Sequence, residues 1–243
     1  MPPVRIYPIH DHALTVEFSL PIGLEAHELV MWLQQRLQES PLNGQLETVP
    51  AYNSLAVYLN NQTNWMEANR ELEMLLNKLA GRKVTEIKTS TIAIHDLSSA
   101  QSSISTPIFT IPVCYDTQLA SDLEMVCKTL SLSTEQLIEI HSQKLYTVFM
   151  TGFVPGFPYL GELDESLVIP RKNTPAARVP AGSVAIAGKQ TGIYPFEVPG
   201  GWQIIGRTPL LLFDKRKEPC CLLDAGMKVK FEPIDLLTFQ NWQ

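Results

Sequence analysis

The chain has 243 residues, 45% hydrophobic and only 18% charged, enough apolar material for one large core or two modest ones. A formal charge of -6 argues against broad, unassisted binding to nucleic acid, which needs a concentrated positive footprint. The start MPPVRIYPIHDHALTVEF lacks the basic and apolar regions of a secretory signal, and no stretch approaches the roughly 20 apolar residues of a spanning helix. A cytoplasmic protein is therefore expected, with no nucleic-acid or membrane partner.

The first half reads as alternating strand and helix. ALTVEF, 13 to 18, alternates with a period of two and predicts a strand. LEAHELVMWLQQRLQ repeats Leu29, Leu33 and Leu37 at helical spacing, with Trp32 beside them. LETVP and SLAVYLN predict two strands joined around Pro50 to Asn53. NWMEANRELEMLLNKLAG predicts a helix capped by Asn64, with Glu67 at the capping-box position and Gly81 closing it. KVTEIK supplies a last strand. This order predicts a small ferredoxin-like split βαβ domain over residues 1–95. The polar run DLSSAQSSIS, 96–105, reads as a linker.

The second domain, 106–243, opens with the strand IFTIPVCYD. Two helices follow, SDLEMVCKTL and one starting at the cap Ser133 with Gln136 at its third position, and then the strand KLYTVFM. Beyond it helical periodicity vanishes almost to the end. Nine of the 13 glycines and seven of the 18 prolines lie between 152 and 206, separating short apolar pieces such as SVAIAG, QIIG and PLLLFD. Short strands broken by Gly and Pro turns predict a closed β-barrel, so the fold class is α+β. Cys114, Cys127, Cys220 and Cys221 fit no CxxC spacing, and adjacent cysteines are badly placed for a mutual disulfide. Reduced thiols are expected, the neighbouring pair packing. The five histidines are scattered, so no metal site is expected.

The densest signal is GFVPGFPYLG, 152 to 161. Its glycines and prolines fix a loop that presents Phe153, Pro155, Gly156, Phe157 and Tyr159 with little ordering entropy left to lose. The following segment, 170 to 210, carries Arg171, Arg178 and Arg207, whose guanidinium forks suit a carboxylate or phosphate. Gln190 can read an amide or carbonyl, and Tyr194 offers a hydroxyl and a ring wall. Between 144 and 207 six basic and four acidic side chains give a formal +2 within an acidic chain. His141 is a weaker candidate as a titratable group, and Arg207 a weaker candidate ligand contact. GSVAIAG lacks the flanking pattern of a nucleophile elbow, and there is no phosphate loop, dinucleotide fingerprint or carboxylate pair. The catalytic residue is therefore unknown, and half a site finished by a partner fits the inventory better than a complete one.

The run YTVFMTGFVPGFPYLGELD, followed by IPRKNTPAARVPAGSVAIAGKQTGIYPFEVPGGWQIIGRTPL, resembles the bacterial subunit 1 family of the allophanate-hydrolase type. That family includes the B-type component of 5-oxoprolinase and an inhibitor of a sporulation histidine kinase. The resemblance implies a small N-terminal α/β domain followed by a cyclophilin-like β-barrel domain. It further implies pairing with a homologous second subunit, the C-type component of 5-oxoprolinase, and with a third, its A-type component. Such a complex uses ATP to open the lactam of 5-oxo-L-proline to L-glutamate, with no cofactor expected on this chain alone. Inhibition of a sensor histidine kinase, and carboxyl transfer in a urea carboxylase-type system, are the alternatives the same resemblance implies. The loop 153–157, Arg178, Gln190 and Tyr194 fall in the family's glycine- and arginine-rich signature. Arg178, between Pro175 and Pro180, or Arg171 is expected to hold the substrate carboxylate.

Overall fold

Alternating apolar residues in ALTVEF and SLAVYL build the centre of the first sheet. The computed structural model describes residues 4–79 and 107–242, which divide between two units, Met1–Ser105 and Thr106–Gln243. In the first unit β1 (Val4–His10), β2 (Ala13–Phe18), α1 (Leu24–Glu39), β3 (Gln45–Ala51), β4 (Ser54–Leu59) and α2 (Trp65–Leu79) follow in turn. The sheet order is β1-β2-β4-β3, antiparallel throughout. Leu14, Val16 and Phe18 of β2 and Leu55 and Val57 of β4 are fully buried with Leu33 and Leu37 of α1 and Leu72 and Leu76 of α2. Asn64 Oδ1 accepts from the Met66 and Glu67 amides (2.9 and 3.2 Å) and so caps the start of α2.

The N-terminal strand β1 has no counterpart in the sequence reading. Pro8 and the polar residues around it hide its alternation, and it pairs along β2 from Val4↔Phe18 to His10↔Ala13. It thus occupies the β2 edge where the last strand of a split βαβ sheet would lie. The expected KVTEIK strand, the closing Gly81 and the linker 96–105 lie outside the described residues. Among the described residues no helix is long and apolar enough to cross a membrane.

The second unit is a closed seven-stranded barrel with helices, which makes the chain a mixed α+β protein. Its elements are β5 (Ile108–Cys114), α3 (Leu123–Leu130), α4 (Thr134–Gln143), β6 (Leu145–Thr151), β7 (Pro158–Gly161), β8 (Ala176–Val179), β9 (Ser183–Ala187), β10 (Gln190–Ile193), β11 (Val198–Gly200), β12 (Gln203–Arg207), β13 (Lys228–Ile234) and α5 (Leu236–Gln240). The barrel runs β10-β7-β6-β13-β5-β12-β9, and β9 pairs back to β10. β8 and β11 form a separate two-stranded sheet. Ile111, Val148, Leu160, Val184, Ile186 and Phe231 are among the side chains that fill the core. The α4 cap is reciprocal: the Gln136 amide donates to Ser133 Oγ (3.2 Å) and the Ser133 amide to Gln136 Oε1 (2.8 Å).

PLLLFD is not a strand. After β12 ends at Arg207, Pro209 offers no amide to a ladder, and the segment folds instead into a hairpin-like loop. There the Leu222 amide donates to the Leu212 carbonyl and the Asp214 amide to the Cys220 carbonyl, both at 2.8 Å.

An aromatic cavity beneath an arginine

The loop after β6 is held by its own main chain. The Gly152 amide donates to the Phe157 carbonyl and the Phe157 amide to the Val154 carbonyl, each at 3.1 Å. Gly156 has φ +80, as its turn requires, and Phe153 is held at φ +67, a strained conformation for a bulky residue. The strain separates the two phenylalanines: Phe157 is buried, and Phe153 is 62% exposed above it.

Phe157 organises the site. Tyr159, Tyr194, Trp202 and Phe153 surround its ring with centroids 4.9, 5.1, 5.5 and 5.7 Å away, the planes tilted or edge-on, the favoured arrangement for aromatic quadrupoles. β7 and β10 supply Tyr159 and the approach to Tyr194, since Gly192 pairs with Tyr159. A Cβ at Gly192 would stand 2.8 Å from the Phe157 ring, and one at Gly200 would collide with the Tyr194 hydroxyl. Glycine at both positions is what allows the rings to converge.

These rings, with Arg171, Pro175, Pro199, Gly200 and Gly201, line a cavity of about 230 Å3. The Arg171 guanidinium lies over the Trp202 ring, 5.9 Å from its centroid, within cation–π range. The segment carrying it is fastened on both sides. Gln203 Nε2 donates to the Pro170 carbonyl (3.1 Å) and the Lys172 amide to the Gly201 carbonyl (2.7 Å). Lys172 Nζ pairs with Asp122 Oδ2, which also accepts from the Ile204 amide (2.7 Å). Among the described residues Arg171 forms no ion pair, so its fork is open to an anion.

Burial pushes the Tyr194 hydroxyl above its ordinary pKa, against the opposing pull of the Trp202 amide and Arg171. Burial does the same for Tyr159, again opposed by Arg171. Both phenols are therefore protonated donors at neutral pH. The lining contains no carboxylate, histidine or cysteine, and so no base. The cavity can hold a small ring bearing a carboxylate: aromatic faces for the ring, a guanidinium for the charge, phenols for a carbonyl.

Residues 4–223 match the family model described as carboxyltransferase domain, subdomain C and D. The chain belongs to this family. Proteins named as the B component of 5-oxoprolinase, from Bacillus subtilis (strain 168) and from Haemophilus influenzae (strain ATCC 51907 / DSM 11121 / KW20 / Rd), are each 37% identical to it. These matches cover 95% and 96% of this chain, and 92% and 100% of those proteins. Among solved structures, TTHA0988 matches with a TM-score of 0.72 and 32% identity over 93% of this chain and 40% of that one. This chain thus spans about two fifths of that protein's length. The urea carboxylase of Kluyveromyces lactis shares the fold, with a TM-score of 0.69 at 15% identity, over 98% of this chain and 22% of that one.

Within this carboxyltransferase-domain chain, Phe153, Phe157, Tyr159, Arg171 and Tyr194 meet at the cavity, whereas Pro155, Gly156, Arg178, Gln190, Arg207 and His141 do not line it. Pro155 is exposed on the loop, and Gly156 is buried against Phe213. Arg178, on β8, extends outward with its side chain 82% exposed, 3.7 Å from Glu197. Gln190 starts β10, whereas Tyr194 follows that strand's far end. Arg207 is a structural tie: its Nε donates to the Ala181 carbonyl (2.7 Å), and its guanidinium lies 5.9 Å from the Phe239 ring centroid.

His141 is a core residue. It stacks on Phe231 at 4.5 Å, and burial pushes its pKa down to about 3. Thr191 Oγ1 spends its proton on the Ala185 carbonyl (3.0 Å), so it accepts from His141 Nε2–H at 3.0 Å. Tyr115 donates to Nδ1 at 2.7 Å. Both nitrogens of a neutral ring are thus satisfied, and neither reaches the cavity. Trp202 lines the cavity together with Pro199, Gly200 and Gly201, none of them among the residues singled out above. The signal was there in PGGW, where consecutive glycines clear the space in front of a large ring.

Proposed function

We propose that this chain is a substrate-holding subunit of an ATP-dependent 5-oxoprolinase, a non-autonomous part of an enzyme that hydrolyses 5-oxo-L-proline to L-glutamate. The arginine-capped aromatic cavity carries this reading. A five-membered lactam packs against the aromatic wall that Trp202 and Tyr194 form, its carboxylate on Arg171. Its ring carbonyl takes a hydrogen bond from a tyrosine hydroxyl, which strengthens as negative charge grows on that oxygen. The names borne by the 37%-identical relatives support the same substrate.

The residues that line this cavity do not fit a nucleotide. The cavity, at about 230 Å3, is smaller than the roughly 300–1,000 Å3 typical of pockets for drug-sized ligands, and no phosphate loop is encoded. ATP and the base are therefore supplied by two partners, one a homologous barrel protein and the other a third component, in the cytoplasm. On this reading the N-terminal sheet is a split βαβ scaffold with β1 added at its edge.

Purified alone, the chain is expected to release no glutamate from 5-oxoproline and ATP. Mixed with both partners it is expected to restore turnover. Robust activity of the isolated chain, or an active partner complex that lacks it, would remove the proposal.

A further inference from the structure

Two of the four sulfurs stand side by side. Cys220 Sγ and Cys221 Sγ are 4.0 Å apart on half-buried residues, whereas Cys114 and Cys127 are buried. The main chain fixes the pair from both sides, through the Asp214–Cys220 and Leu212–Leu222 hydrogen bonds and the Phe213–Cys221 bridge between them. Burial, and after it the neighbouring Cys220 thiol and Asp224, hold the Cys221 proton on above the usual thiol range; the Gly156 amide opposes this.

Neutral thiols on adjacent residues are poorly arranged to bond to each other, because a disulfide needs about 2.05 Å between sulfurs and a specific dihedral. They are well arranged to share a third atom. A soft centre with bonds to sulfur of about 2.3 Å holds two sulfurs roughly 3.3–3.8 Å apart, so small side-chain rotations bring this pair onto one centre. Structural zinc needs four ligands, and among the described residues no group of three His, Cys, Asp or Glu converges. A trivalent arsenical needs two.

We propose that Cys220 and Cys221 form a dithiol site for trivalent arsenicals. An arsenous oxide, R–As=O, condenses with both thiols: two As–S bonds form, while the As=O bond and two S–H bonds break. The oxygen leaves as water with the two thiol protons, R keeps the third arsenic valence, and arsenic is neither oxidised nor reduced. The pair is preorganised by its backbone, so the second bond closes intramolecularly.

Phenylarsine oxide, added stoichiometrically to the folded chain, is expected to give one adduct by native mass spectrometry. It should consume two of the four thiols and be stripped by 2,3-dimercaptopropanol. Cys220→Ser and Cys221→Ser each leave a single thiol and should weaken the adduct by about a hundred- to ten-thousandfold. Should either variant fail to fold, maleimide labelling of the unaltered chain decides, with phenylarsine oxide expected to protect Cys220 and Cys221. The proposal is overturned by the absence of an adduct, by an adduct that survives either folded serine variant, or by protection at Cys114 and Cys127 instead.

Discussion

Arg171 and Arg178 share a short stretch of sequence, each near a proline, yet they meet different surroundings. Arg171 is carried on a segment tied to Gly201 and Asp122 and lies over Trp202, while Arg178 points into solvent beside Glu197. Arg171→Lys keeps the charge but loses the planar fork. It should lower kcat/KM of the assembled complex by about ten- to hundredfold, the range for a charge-assisted hydrogen bond to a ligand. Arg178→Lys should change it by less than about twofold, as exposed pairs do. Steady-state kinetics on both variants in one preparation checks this. His141 gives a second prediction, for stability. Its folded pKa, about 3, lies below its ordinary 6.5, so the unfolded chain takes up the proton first. The stabilisation is complete above pH 6.5 and is lost as pH falls toward 3, by up to about 1.4 kcal/mol per pH unit. The lowered carboxyls of Asp164, Asp214 and Asp235 lose their contributions only below their ordinary 3.8, outside that upper window. Urea unfolding between pH 7 and 4.5 should show the slope, and His141→Gln should flatten it while being less stable at pH 8.

Elements differ in how openly the sequence announces them. The helices are legible because their apolar residues recur at helical spacing and their caps are local, as Asn64 and Ser133 show. Ser133→Ala removes one half of the α4 cap and should cost about 1 kcal/mol, read as a lower melting temperature. The barrel is legible as a class from its glycine and proline punctuation, but β1 and PLLLFD mislead for a shared reason. Strand identity there depends on a partner, the whole of β2 for Val4–His10 but one isolated bridge, Phe213–Cys221, for the segment after Arg207. The cavity is half legible. GFVPGFPY states its own rigidity, whereas the choice between two arginines and the arrival of Trp202 depend on contacts between β8, β11 and the Pro170–Lys172 segment that no local pattern encodes. Gly200 on β11 is the element-scale test of that convergence. Gly200→Ala puts a methyl against the Tyr194 hydroxyl, and it should raise KM of the complex more than it lowers the melting temperature.

At the scale of the whole molecule, each unit carries a hydrophobic core of its own, with Phe18, Leu33, Leu55 and Leu72 in the first and Ile111, Leu160, Ile186 and Phe231 in the second. On the proposed function, the base that the cavity lining lacks comes from a partner chain. Co-expression with a homologous barrel protein should give one peak containing both chains by size-exclusion chromatography. Two folded proteins eluting separately at micromolar concentration would count against the shared site.

The barrel is closed by strands from opposite ends of its unit. β13 lies parallel to β5 over seven residue pairs, from Lys228↔Ile108 to Ile234↔Cys114, and antiparallel to β6 on its other side. During synthesis β5 and β6 therefore leave the ribosome long before the strand that joins them, each with an unsatisfied edge. The nascent chain must keep those edges from other chains until β13 emerges, and such late, non-local pairing slows folding. A chain stopped before Lys228 is expected to collect in the insoluble fraction, whereas one that ends after Ile234 should remain soluble.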